Sequence, residues 1–332
     1  MARLSTFSIV AADLDRGEWG IAVQSKFISV GAVVPWAEAG VGAIATQALA
    51  NVHYGPDGLA RLRANASADE VVRRLTEADP ERSKRQLGVV DAKGRAAAYT
   101  GAECLAWAGH ATGDGYACQG NILFAPEVVR GMSRAFESTP GDLPERLVAA
   151  LSAGQREGGD RRGMQSAALL VVRKDGGYGK GNDRWIDLRV DDHPTPIEEL
   201  KRLLKLYDLT LLEREDPATL VPITPELAGR LQQQLGVLGF YTGRLTSNWD
   251  AQTDAAFTKF LDENNFEGKA RKDGRIWPSV LDHLNERATR EAARRTTTAP
   301  IQTGALSRGP GAAPKGEEPS PPKGRKGRTP SG

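Results

Sequence analysis

The 332-residue chain is short of the residues that mark the commonest disulfide, metal and nucleotide chemistries. Its only cysteines are Cys104 and Cys118, too few for a disulfide framework or a thiolate metal site. Free cysteines of this kind usually fill a core. The four histidines, His53, His110, His193 and His283, stand far apart, so no metal is expected. Neither a Gly-x-Gly-x-x-Gly turn nor a Walker loop occurs, which disfavours nucleotide binding of those kinds, and no cofactor is expected. No apolar run approaches the roughly 20 residues that span a bilayer. The opening residues 1–10 hold too short an apolar stretch for a secretory signal, so the expected location is cytoplasmic, without membrane contact.

Excess charge is scarce too. The net charge is +2, and from Glu291 onward eight basic residues face three acidic ones, which leaves about −3 on the rest of the chain. Such a body is not a nucleic-acid surface, and no nucleic-acid partner is expected. The stretch 296–332, rich in Pro, Gly, Ser and Lys, cannot bury enough apolar area to offset its ordering entropy. We count a disordered basic tail from 291 to 332.

What is present suits about two domains. Thr6–Asp13 alternates Thr6, Ser8, Val10 and Ala12 with Phe7, Ile9 and Ala11, a strand pattern, and 19–26 runs back as a second strand. A four-residue loop, 14–17, would put Ser25 opposite Thr6; a three-residue loop would put Lys26 there. Strand-like segments follow at 28–36 and 41–46. A helical pattern at 48–54 comes next, and Gly55-Pro-Asp57 opens another helix. Ser67-Ala-Asp-Glu70 forms a capping box ahead of Val71, Val72 and Leu75. A hairpin spans 87–91 and 96–100, and 115–123 ends in a Gly-Asn step before a helix at 126–137. A helix at 143–155, strands at 167–172 and 185–190, and a helix at 196–212 complete the order. Local hairpins with helices inserted in blocks predict an α+β domain over 1–212, with helices packed on antiparallel sheets.

Residues 213–222 read as a linker. From 223 to 290 three helices are expected, carrying Leu227, Leu231, Leu235 and Leu238, then Ala256, Phe257 and Phe260, then Ile276, Val280, Leu281 and Leu284. The densest cluster of polar groups lies at 158–172, where Asp160, Arg161, Arg162, Gln165 and Ser166 stand on a helix-to-strand turn. Loops held by a rigid scaffold often carry functional groups, although a solvated Gly-Asp turn fits the same residues.

Thr6-Phe-Ser-Ile-Val-Ala11, Gln24-Ser-Lys-Phe27, 42–55, Gln119-Gly-Asn-Ile-Leu123, 158–172 and Asp191-Asp-His-Pro194 together resemble the domain-of-unknown-function family 1028. That family looks like a branch of the N-terminal nucleophile (Ntn) hydrolases, and the resemblance covers about 1–210. The module near 222–287 resembles a peptidoglycan-binding-like domain through Leu235-Gly-Val-Leu-Gly-Phe-Tyr-Thr-Gly243, Trp249-Asp250, Thr253 and 257–260.

The first resemblance implies a four-layer αββα sandwich and an amidohydrolase acting on a small amide or peptide-like substrate. The nucleophile would be Thr6, with its own α-amine as base. An α-amine has a pKa near 8, better placed than a lysine to take a proton at neutral pH. Five residues precede Thr6, and loss of Met1 would expose Ala2. Three explanations stay open: a later true start, autoproteolysis, or a fold kept without Ntn chemistry.

By the same resemblance Lys26 supplies a cation near the nucleophile. Gln47 and Ala48 offer backbone N–H groups at a helix start for an oxyanion hole. Asn121 approaches the terminal amine, and Asp160 with Ser166 orients it; Asn121 equally fits a helix cap. Asn51, His53 and Gln165 are motif residues grouped with substrate binding. Arg161 and Arg162 would clamp a carboxylate, favouring acidic amides. The alternative function is a non-catalytic peptidoglycan-binding or scaffolding protein. Phe240, Tyr241 and Trp249 could stack on sugar there, but three-helix modules need such residues for their cores. A homo-oligomer is the expected assembly.

Overall fold

A computed structural model describes residues 6–212 and 214–298. Thr6–Asp13 (β1) and Glu18–Ser25 (β2) form a hairpin around the four residues 14–17, which settles the register: Thr6 lies opposite Ser25. Pro35–Glu38 (β3) and Gly42–Ala48 (β4) lead into Tyr54–Arg63 (α1) and Ala68–Glu77 (α2). Arg85–Asp91 (β5), Ala96–Thr100 (β6), Gly109–Gly113 (β7) and Tyr116–Asn121 (β8) precede Glu127–Ser138 (α3) and Leu143–Arg156 (α4). Ser166–Arg173 (β9), Arg184–Val190 (β10) and Pro196–Thr210 (α5) follow.

These strands pair antiparallel in two sheets, ordered β10-β9-β2-β1-β8-β7 and β3-β4-β5-β6. Side chains alternate across a strand. Phe7, Ile9 and Ala11 of β1 therefore join the core built with Val128, Met132, Leu147, Leu151 and Leu200 of the α3–α5 helices. Val10, Trp19, Ile21 and Val23 face the other way, against Ala43, Ala45 and Val90 of the four-stranded sheet. That sheet turns Ile44, Leu87 and Val89 outward onto Leu62, Val71 and Leu75 of α1 and α2. The sheets share one apolar layer, and each packs helices on its other face. Ser67 caps α2 as expected, its Oγ accepting from Glu70 N at 3.2 Å.

Two expected elements are corrected. Residues 28–33 are not strand: Ser29 takes φ +53° and Val30–Ala32 makes a single 3-10 turn, which drives Val30 and Val34 as a buried plug into the inter-sheet layer. Nor does the helix expected at 48–54 form, since 48–53 are not helical. β4 continues to Ala48, because Gln47 and Ala48 extend the ladder opposite Gln86 and Arg85, and α1 starts only at Tyr54. A seven-residue helix has a costly nucleus and loses to a strand partner already in register. The edge strand β7 was not expected; its Gly-His-Ala-Thr-Gly sequence has no apolar alternation.

The C-terminal helical region holds Pro225–Val237 (α6), Ala251–Asp262 (α7) and Pro278–Thr298 (α8). Val221–Pro222 (β11) and Arg275–Ile276 (β12) clip it with a two-residue ladder. Its core joins Leu227, Leu231, Phe257, Phe260 and Leu284, and α5 contributes Leu209. The start of the 214–222 segment is tied to both parts of the chain. Arg214 reaches Asp208 and Glu145 at 2.5 Å each, and Glu215 accepts from Lys269 Nζ at 2.6 Å and Ser279 Oγ at 2.7 Å. α8 runs past 290 to Thr298, so residues 291–298 of the expected disordered tail are helical. Ion pairs Glu286–Arg290 and Glu291–Arg295 at four-residue spacing support the extension. The remainder of the tail, 299–332, lies outside the described residues.

Glu18, fully buried at the start of β2, has Arg173 Nη1 3.4 Å from one carboxylate oxygen and no partner on the other among the described residues. Burial pushes its carboxyl up to about 7, with Arg173 opposing and Asp13 and Asp142 adding to the rise. The folded chain therefore holds a proton that the unfolded chain has released between pH 4.5 and about 7, and stability falls as pH rises through that window. Glu18→Gln is expected to flatten this slope and to raise stability at pH 8 by about 1–3 kcal/mol, measured by urea unfolding at pH 5 and pH 8. An unchanged slope would mean that Arg173 already offsets the buried charge.

Candidate active site

Strand direction gathers the candidate residues. β1 starts at Thr6; its neighbours run antiparallel, so β2 ends at Ser25 and β8 ends at Asn121 beside it. β9 starts at Ser166 opposite Ser25, and β10 ends at Val190 opposite Ala167. In the facing sheet Gln47 Nε2 lies 3.4 Å from Thr6 O, which places the end of β4 and the start of β5 at the same end. The loops 26–29, 49–53, 101–108, 122–125, 158–165 and 191–193 therefore surround Thr6.

At this end the inter-sheet layer changes from apolar to polar. Ser8 Oγ donates to Gln47 Oε1 at 2.6 Å and accepts from Gln119 Nε2 at 2.6 Å. Gln86 Oε1 accepts from Gln47 Nε2 at 2.8 Å and from Asn121 Nδ2 at 3.0 Å. Gln86 Nε2 donates to Gly120 O at 2.8 Å and Thr100 Oγ1 at 2.9 Å. Thr6 Oγ1 donates to Ser25 Oγ at 3.2 Å, and Thr6, Ser8, Ser25, Gln47, Gln86, Gln119 and Asn121 are all buried. Gly88 makes the room, since a Cβ there would lie 2.2 Å from Gln119 Oε1. Buried amides are costly unless partnered, so the partnered groups of this cluster hold a fixed geometry, and Gln119 Oε1 is left without a partner among the described residues.

The sequence reading missed Ser8, Ser25, Gln86, Thr100 and Gln119 as site residues. The available signal was polar side chains at the inter-sheet positions of otherwise apolar strands.

The other candidates divide. Asp160 Oδ2 accepts from Lys26 N at 2.8 Å and Oδ1 from Arg162 N at 2.9 Å; Ser166 Oγ donates to Phe27 O at 2.5 Å and accepts from Val30 N at 3.1 Å. Both grip the segment that follows Ser25. Lys26 is exposed and its Nζ donates to Met164 O at 3.2 Å. Gln165 N reaches Ser25 O at 3.1 Å, while its side chain turns to Asp192. Arg161 is exposed and Arg162 lies against Asp160, so they do not form a matched clamp. Asn51 is drawn away to Asp79, beside a cavity of about 250 Å³ between α1 and α2, and His53 is exposed ahead of α1. Gln47 and Ala48 stand at a strand end, so the helix-borne oxyanion hole is not formed there.

Backbone strain collects here too. Ser29, Ala48 and Ile122 take φ of +53°, +67° and +52°, left-handed values that cost such residues about 1–3 kcal/mol each. Ile122 is pinned on both sides: its N–H reaches Leu105 O at 2.9 Å and its carbonyl accepts from Arg161 N at 3.0 Å.

A second cavity, about 810 Å³, opens at the far end of the six-stranded sheet beside Arg16, Arg173, Trp185 and Arg214. Three of its cations are matched, Arg16 by Asp142, Arg173 by Glu18 and Arg214 by Glu145 and Asp208. The polar cluster around Thr6, although buried, gathers more hydrogen-bonding groups. Among the described residues, no three His, Cys, Asp or Glu are grouped to hold a metal, and no helix is long and apolar enough to cross a membrane.

The family model described as "Family of unknown function (DUF1028)" matches residues 6–200. The chain belongs to the DUF1028 family. A crystal structure of a DUF1028 protein from Silicibacter pomeroyi is similar at 32% identity and a TM-score of 0.58, over 63% of this chain and 88% of that one. A second family model, "Putative peptidoglycan binding domain", matches residues 210–284. No curated protein matches the chain.

In this DUF1028 chain Gln86 joins the two sheets, and Gln86→Leu would leave the Gln47 and Asn121 amides facing an apolar group. The expected cost is about 2–4 kcal/mol in urea unfolding. A loss below about 0.5 kcal/mol would mean that the network is not holding the sheets.

Proposed function

We propose that the chain is an amidohydrolase of the N-terminal nucleophile class, with Thr6 as nucleophile and the two facing sheets and their helices as the αββα sandwich of that class. The observation that carries this reading is the position of Thr6. It opens the family match and stands at the polar end of the inter-sheet layer, between Ser25 and Asn121. Cleavage before Thr6 would turn its backbone nitrogen into a free amine, a base of pKa near 8 two bonds from the carbon bearing the hydroxyl.

That amine takes the Thr6 Oγ1 proton as the oxygen attacks the substrate carbonyl, then passes it to the leaving amine as the C–N bond breaks. The threonyl ester that remains is hydrolysed by water to release the carboxylic acid. Asp160 and Ser166 act as positioning residues through the 26–30 segment, Asn121 flanks the amine, and Lys26 would turn its ammonium from Met164 O to add positive field beside the alkoxide.

Intact mass and N-terminal sequencing, followed by a panel of simple amides, test this. A chain that starts at Thr6 is expected to hydrolyse at least one of them with kcat/KM rising through pH 7–8, and Thr6→Ala to lose about 10³-fold or more. Undiminished turnover in Thr6→Ala would sink the assignment.

The match at 210–284 favours a second reading, a non-catalytic peptidoglycan-binding or scaffolding protein. The aromatics once suited to sugar stacking belong to the helical core: Tyr241 is buried, Phe240 sits edge-on to Phe260 at 5.5 Å, and Trp249 to Phe257 at 5.4 Å. Under this reading the full chain co-sediments with purified peptidoglycan and loses that property when 214–298 is removed. Failure of the full chain to sediment removes it.

A further inference from the structure

Exposed large apolar side chains are few among the described residues, and they are not spread evenly. Of eight, Phe124 (70% exposed), Ile28 (56%), Val52 (44%) and Leu105 (43%) stand on four different loops at the Thr6 end. Leu14, Tyr178 and Leu211 lie at the far end, and Leu245 belongs to the helical region. Single exposed hydrophobes need no explanation, but four of them on loops at one end of the sheets do.

All four stand on loops that adjoin strand ends at the Thr6 end of the sheets. Ile28 follows β2, Val52 follows β4, and Phe124 and Leu105 flank the end of β8. The last two are held in place. Ile122 N reaches Leu105 O at 2.9 Å, and Phe124 N reaches Gly159 O at 3.0 Å. The Phe124 side chain lies over Gly158, where a Cβ would fall 2.7 Å from Phe124 Cβ and where φ is +107°. A large ring kept exposed by a glycine beneath it is positioned to meet something.

We propose that these residues form the acyl-group subsite of the Thr6 centre, so that the substrates are amides of apolar acids, with a straight aliphatic or aromatic acyl chain, rather than acidic amides. This rests on the reading of Thr6 as nucleophile. The network at Gln47, Gln86 and Asn121 is polar and closed by its own partners, so the acyl group extends outward along the rim. The rim is where Phe124, Leu105 and Ile28 remove its methylenes from water.

The test is calorimetric binding of acetamide, butyramide, hexanamide, octanamide and succinamate to the full chain carrying Thr6→Ala, with folding checked by circular dichroism. Affinity is expected to rise about two- to fourfold per added methylene, the range set by partial to full burial of each CH₂. Phe124→Ser and Leu105→Ser are each expected to weaken octanamide at least about fivefold and acetamide hardly at all, whereas Leu14→Ser at the far end changes neither. Equal affinity for acetamide and octanamide, a preference for succinamate, or equal effects of Leu14→Ser and Phe124→Ser would overturn the proposal. So would a Phe124→Ser change in sedimentation without a change in ligand binding, which would make the rim an interface between copies. Hydrolysis assays on the Thr6-initiated chain separate the two readings. Chain-length-dependent binding without turnover removes the nucleophile and keeps the subsite, and turnover without chain-length preference does the reverse.

Discussion

A hydrogen-bonded bridge of carboxamides between the two sheets is the constraint on which the rest depends. Gln86 of β5 takes Gln47 and Asn121 on its carbonyl oxygen and gives its amide hydrogens to Gly120 and Thr100, while Ser8 links Gln47 to Gln119. A buried amide left without partners costs more than the net gain of one that is satisfied. Each strand therefore has one acceptable sliding position relative to the others. Apolar packing of Val10, Ile21, Val23, Ala45 and Val90 holds the far half of the layer together without specifying registry so sharply.

Thr6 inherits its place from this bridge. It sits on the first residue of a central strand, with a serine to one side, an asparagine to the other, and a glutamine reaching its carbonyl from the opposite sheet. The strained backbone at Ala48 and Ile122 lies one residue beyond Gln47 and Asn121. The ladder and the pinned carbonyls over-determine these two turns, so the strain persists and the loops leave the sheets in fixed directions.

The helical region is coupled to the α/β part through charge as well as packing. Arg214, between Glu145 of α4 and Asp208 of α5, is held more firmly protonated than a free guanidinium by those carboxylates, against the cost of its burial. Lys205 of α5 pairs with Glu286 of α8 at 3.1 Å, and Leu209 enters the helical core. Motion of one part relative to the other would break these contacts together.

Much was legible in the sequence for a local reason. Alternation in β1, the loop 14–17, the Ser67 cap and the heptad-like leucines of α6 all act through residues within a turn or two of one another, and the chain's lack of thiolate clusters and phosphate loops narrowed the chemistry. Thr6, Lys26, Asn121, Asp160 and Ser166 were named from motifs, and strand ends bring them to one side of the sheets. The sequence by itself thus determined most strands and helices, except at the apolar or alanine-rich runs 28–36 and 48–54 and at the edge strand β7, which has no apolar alternation. Only the tertiary structure decided which faces meet. It made Gln86 a partner of Asn121 and Ser8 a partner of Gln47 across the layer, sent Asn51 to Asp79 instead of toward Thr6, and left Ile28, Val52, Leu105 and Phe124 exposed on loops at the Thr6 end. Those contacts join residues dozens of positions apart, and no local propensity encodes which distant strand will pair.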